Sequence, residues 1–189
     1  MAKRRPPQLP RTPKPPVPPV DRNARAHSLL NEGARLLMAR RPGEAVPLLS
    51  RALELDPTNA DAALNLGSAY ILQGKHAKAV PVLEQAAQLD PHNATVWANL
   101  AAAYLGKLPF AERAQQDQAI TAFEHALALN PAAPHVHYNL GLIYLERSDL
   151  FGAATHFQAA LDTDPADSDA RLWLDRIRRG DLDRDEPQG

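Results

Sequence analysis

Apolar and small residues come round along this chain at a fixed spacing, and the pattern is plainest between Ala60 and Pro91. In the first half of that stretch Ala63, Leu66, Gly67 and Tyr70 fall three and four residues apart, so they share one face of a helix. Ala79, Leu83 and Ala86 do the same in the second half, and Asp90-Pro91 closes the unit. The set returns before and after. It reads Leu29, Gly33, Leu36, Ala45, Leu49, Ala52 and Pro57 in the first copy, and Trp97, Leu100, Tyr104, Ala119, Phe123, Ala126 and Pro131 in the third. The fourth copy has Leu140, Gly141, Tyr144, Ala153, Phe157, Ala160 and Pro165. The closing prolines stand 34 residues apart from Pro57 to Pro91 and from Pro131 to Pro165, and 40 apart in between. Self-similarity of this period marks a stack of two-helix units, each too small to bury its own apolar face and stabilised by its neighbours.

The pattern predicts an all-α fold with at least eight helices paired antiparallel, a capping helix and no β-sheet. Asn59 and Asn93, just ahead of an apolar-periodic run, are good N-caps, and each Asp-Pro pair stops a second helix. The first helix is expected to start after Asp21 and run to about Arg40, with Pro42-Gly43 as the turn. Gly67 and Gly141 each cost about 1 kcal/mol inside a helix, which fits a close crossing with Ala79 and Ala153 as the small partners opposite. Pro47 and Pro81 recur at one place in the second helices, which reads as a site near the helix start or a shared slight kink. The six extra residues of the third copy lie between Tyr104 and Ala119. Pro109 suits a helix start, so the second helix is expected to begin about one and a half turns early, with Phe110 at the mouth of the turn. Either a neutral insertion or an extra partner contact fits there. After Pro165, Asp167 or Ser168 caps a last helix to about Arg179 with Ala170, Leu174 and Ile177 on one face; Trp173 either closes the end of a groove or packs on the fourth copy.

These residues resemble the tetratricopeptide repeat family, most closely in the third copy, which departs by carrying Ala101 where the family usually has Gly. The first copy is weaker, with Glu32 at an apolar place, as an end repeat with one face in water allows. The resemblance implies a right-handed superhelical solenoid of four repeats, about 26–59, 60–93, 94–133 and 134–167, plus a capping helix over 168–180. It covers about Ala26 to Arg179.

Charge changes the picture only at the ends. The whole chain carries −1, so nothing pushes it as a whole toward nucleic acid. Residues 1–25 hold seven Lys/Arg against one Asp, and residues 181–189 one Arg against four acids. Eight prolines between Met1 and Val20 forbid helix, so an extended disordered arm over about 1–22 is expected, with an acidic tail over 181–189. The arm reads as a solubilising leader, as a PxxP ligand (Pro7 to Pro10, Pro10 to Pro13, Pro16 to Pro19), or as a basic arm for an acidic surface; Lys3-Arg4-Arg5 alone is too short for a nucleic-acid patch. With no cysteine there is no disulfide or thiolate chemistry. No apolar run approaches the length of a membrane span and no signal segment is evident, so a cytoplasmic protein is expected.

One residue per unit points to function. Asn31, Asn65, Asn99 and Asn139 hold the same place on the first helix of every copy, and Asn is a poor mid-helix residue because its side chain competes for backbone groups. An amide offers the donor and the acceptor that a peptide backbone needs. Inheritance by duplication is the bland account. The family resemblance puts this row in a concave groove that binds extended peptides, beside His27, Asp61, Thr95 and His135, then Leu30, Leu64, Ala98 and Tyr138, then Ala34, Ser68, Ala102 and Leu142. Almost no Lys or Arg is among them, unlike family members that clamp a C-terminal carboxylate. Asp61 would favour a basic residue in an otherwise apolar ligand.

Catalytic signals are poor. His135 and His137 are two apart on a helix and face different ways, and there is no phosphate loop, nucleophile elbow or carboxylate pair, so no enzyme activity, metal or cofactor is expected. The best reading is a protein-binding adaptor of unknown partner. A nucleic-acid-associated protein acting through its arm and a structural subunit of a larger assembly are the alternatives.

Overall fold

The computed structural model describes residues 21–107 and 111–181; the arm up to Val20, the tail after Asp181 and the Pro109-Phe110 turn lie outside the described residues, while Asp21 and Arg22 open α1 instead of ending the arm. Nine helices and no strand are found among those described. They are α1 (Arg22–Met38), α2 (Pro42–Leu55), α3 (Ala60–Leu72), α4 (His76–Leu89), α5 (Ala94–Leu105), α6 (Arg113–Leu129), α7 (Val136–Glu146), α8 (Leu150–Thr163) and α9 (Ser168–Arg179). Each odd-numbered helix from α1 to α7 packs most heavily on the one that follows it.

Stacking, not the single hairpin, builds the core. Leu30, Leu36, Leu49, Ala52 and Leu66 cluster across the first and second units, and Leu83, Ala86, Val96 and Leu100 across the second and third. Phe123, Ala126, Val136 and Leu140 bridge the third and fourth, and Phe157, Ala160, Ala170 and Leu174 carry the core into α9. Among the first helices, α1 touches α3 and α3 touches α5, and the second helices α2, α4 and α6 touch one another less than that. A stack closer on one side curves toward it, so the first helices line the inner side.

Local chemistry sets the ends. The carboxylate of Asp21 accepts from the amides of Asn23 and Ala24, the Asn59 side chain from Ala62 and the Asn93 side chain from Thr95. The first turn falls at residues 39–41, not at Pro42-Gly43, because Pro42 is pre-organised for the opening of a helix and starts α2. Arg40, Gly74 and Ser148 occupy the same place in three hairpins and all have positive φ.

Three other expectations change. Pro47 and Pro81 are the sixth residues of α2 and α4, well inside them. They are exposed, so the carbonyls they leave unpaired face water, which lowers the usual cost. The third copy's second helix begins at Arg113, fewer than four residues ahead of its counterparts, with Glu112 and Gln115 forming a capping box; the rest of the insertion lengthens the connection. The partners opposite Gly67 and Gly141 are Leu83 and Phe157 rather than Ala79 and Ala153, since a Cβ added at either glycine would lie 2.4 and 2.7 Å from those side chains.

Candidate functional site

On a helix of 3.6 residues per turn His27, Asn31, Ala34 and Met38 form one stripe along α1. Asp61, Asn65, Ser68 and Leu72 form its counterpart on α3, and Thr95, Asn99 and Ala102 on α5. The Asn99 Nδ2 donates to the Ser68 Oγ at 2.8 Å, so the stripes of α5 and α3 lie edge to edge and make one continuous face. Asn65 spends one amide hydrogen on its own helix, donating to the Asp61 carbonyl at 2.9 Å. Asn139 does the same to the His135 carbonyl at 2.8 Å. Asn31 makes no side-chain hydrogen bond among the described residues, and it stands in an open hollow of about 670 Å³ with His27, Ser28, Glu32 and Arg35. In each of the three bonded amides the Oδ1 is left over for a ligand.

The fourth member of the row sits apart. The connection before α7 carries Pro131 and Pro134, Ala133 replaces the capping Asn, and the helix starts only at Val136. His135 is therefore the N-cap with φ 60° rather than a helical residue, and α6 touches α7 much less than α4 touches α5. Asn65 and Asn99 share a face joined by the Asn99–Ser68 bond, Asn31 holds the matching place on α1, which packs on α3, and Asn139 lies across this looser junction.

The flanking residues divide. His27, Asp61 and Thr95 are exposed, and the His27 Nδ1 lies 3.0 Å from the Asn23 carbonyl. Leu64 and Tyr138 are half-buried, while Leu30 is 9% exposed and belongs to the core, so it has little surface to offer a ligand. Tyr138 packs 5.8 Å from Phe157, and burial pushes its hydroxyl up. With His135, His137, Asp164 and Asp167 it lines a hollow of about 440 Å³ beside the stripe.

Glu32 has no apolar role. It is exposed and holds Arg35 through two bonds of 3.0 and 2.6 Å, which keep its carboxyl below the usual range and neutralise the one guanidinium near Asn31. Trp173, 34 residues after Asn139, takes the place of an amide in the row. It stacks on Phe157 at 6.4 Å with the Arg176 guanidinium 4.8 Å from its ring, so it both packs on the fourth unit and ends the row. Sequence reasoning passed over Met38 and Leu72. They are 87% and 52% exposed, stand at one place in two copies, and follow Asn31 and Asn65 by seven residues. The signal was their exposure on the amide stripe, which apolar periodicity cannot report because it treats every Leu as core.

No helix of the described residues is long and apolar enough to cross a membrane, and no group of three or more His, Asp or Glu residues there is placed to hold a metal.

The sequence matches the tetratricopeptide repeat over residues 30–94 and 110–168, while no curated protein matches it as a whole. Among solved structures, a crystal structure of MamA is 26% identical over 77% of this chain and 81% of its own, with a TM-score of 0.66. PilF of Pseudomonas aeruginosa is 22% identical over 84% of this chain and 70% of its own, with a TM-score of 0.70. A thermophilic repeat protein of Thermus thermophilus, TTC0263, is 22% identical over 84% of each, with a TM-score of 0.68.

Proposed function

The chain belongs to the tetratricopeptide repeat family, and from that premise we propose that it is a non-catalytic scaffold whose first-helix face holds an extended segment of a partner protein. The observation that carries this reading is the run of amides across α1, α3 and α5, each with its oxygen unspent. Neighbouring helices lie about 8–10 Å apart and an extended chain advances about 3.3 Å per residue, so successive amides meet about every third residue of a peptide. Each amide contributes an acceptor, and Asn31 also both of its donors, which suits backbone groups of any sequence. Met38 and Leu72 add apolar contact at the far end of the same stripes, and the lack of unpaired Lys and Arg there disfavours a carboxylate clamp. The ligand is therefore an extended, mostly apolar segment, with Asp61 favouring one basic side chain.

The test separates binding from folding. Asn31→Ala with Asn65→Ala breaks no bond between helices, so its melting temperature should equal the wild type's or rise slightly through better helix propensity. Affinity for a partner peptide isolated by pulldown should fall by about 1 kcal/mol per lost contact, or about fivefold each. Unchanged affinity in the folded variant would remove the amide face as the binding surface. Asn99→Ala should weaken stability and binding together, because it also cuts the bridge to Ser68.

A further inference from the structure

We propose that a second groove, walled by Trp97, Tyr104 and His125 between α5 and α6, receives the chain's own proline-rich arm, residues 1–20. The groove has a volume of about 530 Å³ and its floor is Leu100 and Ala122. Trp97 and Tyr104 stand seven residues apart, two turns of α5, on a side about 200° round the helix from Asn99. It is thus separate from the amide face and independent of the function proposed for it.

Its walls are built before any ligand arrives. The Trp97 Nε1 donates to the Pro91 carbonyl at 2.8 Å, and the indole lies 4.3 Å from the His125 ring at a tilt of 38°. The Tyr104 hydroxyl donates to the Glu84 Oε1 at 2.7 Å, and its pKa is pushed up to about 12 by burial and by that carboxylate. Fixed aromatic walls over an apolar floor suit a polyproline helix, which enters with little entropy left to lose.

The arm has the matching chemistry. It holds five Lys or Arg and no acid, while residues 21–181 carry a net −4. Polyproline repeats every three residues, so Arg4, Pro7 and Pro10 fall on one edge. Two prolines on the aromatic walls would bring Arg4 beside Glu84, whose only partner among the described residues is the Tyr104 hydroxyl; Asp117 at the other rim is already held by Arg147. The arm also starts from the right end. Asp21 caps α1, and α1, α3 and α5 run parallel, so Asp21 and Trp97 both sit near the helices' N-terminal ends. Two helix steps of about 8–10 Å separate α1 from α5, and the eleven residues from Pro10 to Asp21 span about 34 Å as polyproline.

The experiment compares the full chain with a full-length Arg4→Ala, Pro7→Ala, Pro10→Ala variant, whose changes lie in the arm alone. Acrylamide quenching of Trp97 is read in a Trp173→Phe background, and the Trp97 indole N–H resonance is followed without that substitution. Quenching should rise about twofold in the arm variant, since one of the two ring faces is uncovered. A synthetic peptide of residues 1–20 should restore the protection, and the protection should not depend on protein concentration. Equal quenching with an unmoved indole resonance overturns the proposal. Protection that grows with concentration alongside a dimer in sedimentation also overturns it, by assigning the groove to a second copy's arm.

Discussion

Gly67→Ala should destabilise the stack even though alanine is the better helix former. A Cβ at Gly67 would stand 2.4 Å from the Leu83 Cγ and 2.6 Å from its Cδ2, where carbon atoms prefer about 3.5–4.0 Å. Leu83 has no free rotamer to retreat into, being fully buried among Ala79, Ala86, Val96 and Leu100. Overpacking costs about 1–3 kcal/mol, and contacts this short on a buried side chain put it at about 2–3; the better propensity returns about 1, leaving a net loss of about 1–2 kcal/mol. For a chain of this size that is a fall of about 2–8 °C in melting temperature. Gly43→Ala is the control. Gly43 is the second residue of α2 with nothing within 4 Å of an added Cβ, so there the propensity gain should stand alone and raise the melting temperature. Urea and thermal unfolding of both variants, with Leu83→Ala added singly and in combination, complete a double-mutant cycle. The combination should cost less than the sum of its parts, because the added methyl fills space that the leucine vacates. A Gly67→Ala protein as stable as the wild type would refute the close crossing.

Two further outcomes follow from the fourth unit. The His137 and His156 Nδ1 atoms lie 3.2 Å apart and share one proton between them; burial holds both pKa values below 6.5, and for His156 the charge of His137 adds to it. The unfolded chain therefore takes up protons first as pH falls below about 6.5, so stability present above that pH should decline toward pH 5, and His156→Gln should flatten the profile of melting temperature against pH. Arg147 donates to the Gln116 Oε1 at 2.8 Å and to the Asp117 Oδ1 at 2.6 Å, so Arg147→Ala strands the acceptor of a buried Gln and should cost about 1–3 kcal/mol, seen in hydrogen exchange as earlier opening between α6 and α7. Exchange unchanged there would refute that role.

Most of the helices were legible because each rests on local chemistry repeated several times: a three-and-four spacing, an Asx cap, an Asp-Pro stop. Errors came where one copy departs from the rest, and where a repeated feature depends on packing that spacing does not display, as with the Leu83 and Phe157 that face Gly67 and Gly141. Pro42 opens a helix because its fixed φ suits the first turn, and it looked like a turn only in company with Gly43. The late start of α7 needs the absence of a capping side chain at Ala133 together with Pro134, which no other copy has. In the third copy Pro109 invited an early helix, whereas the capping box of Glu112 and Gln115 sets the observed start of α6.

The site was legible as a row and illegible as a surface. Its four asparagines share a repeat position, which a sequence displays, but the partner of each amide depends on what the neighbouring helix offers. Ser68 is there for Asn99, whereas the equivalent place before Asn65 is Ala34, which has nothing to accept a bond, so Asn65 turns back to its own helix. The same comparison explains why the face is continuous over three units and loosens at the fourth: the six inserted residues and the late start of α7 fall on either side of α6, the element that should press the third unit against the next. A partner segment lying along the amides of α1, α3 and α5 would thus engage about seven residues, three per helix step over two steps. The fourth unit still carries Asn139 with its Oδ1 unspent, and the row ends only after it, at Trp173 stacked on Phe157 beneath Arg176.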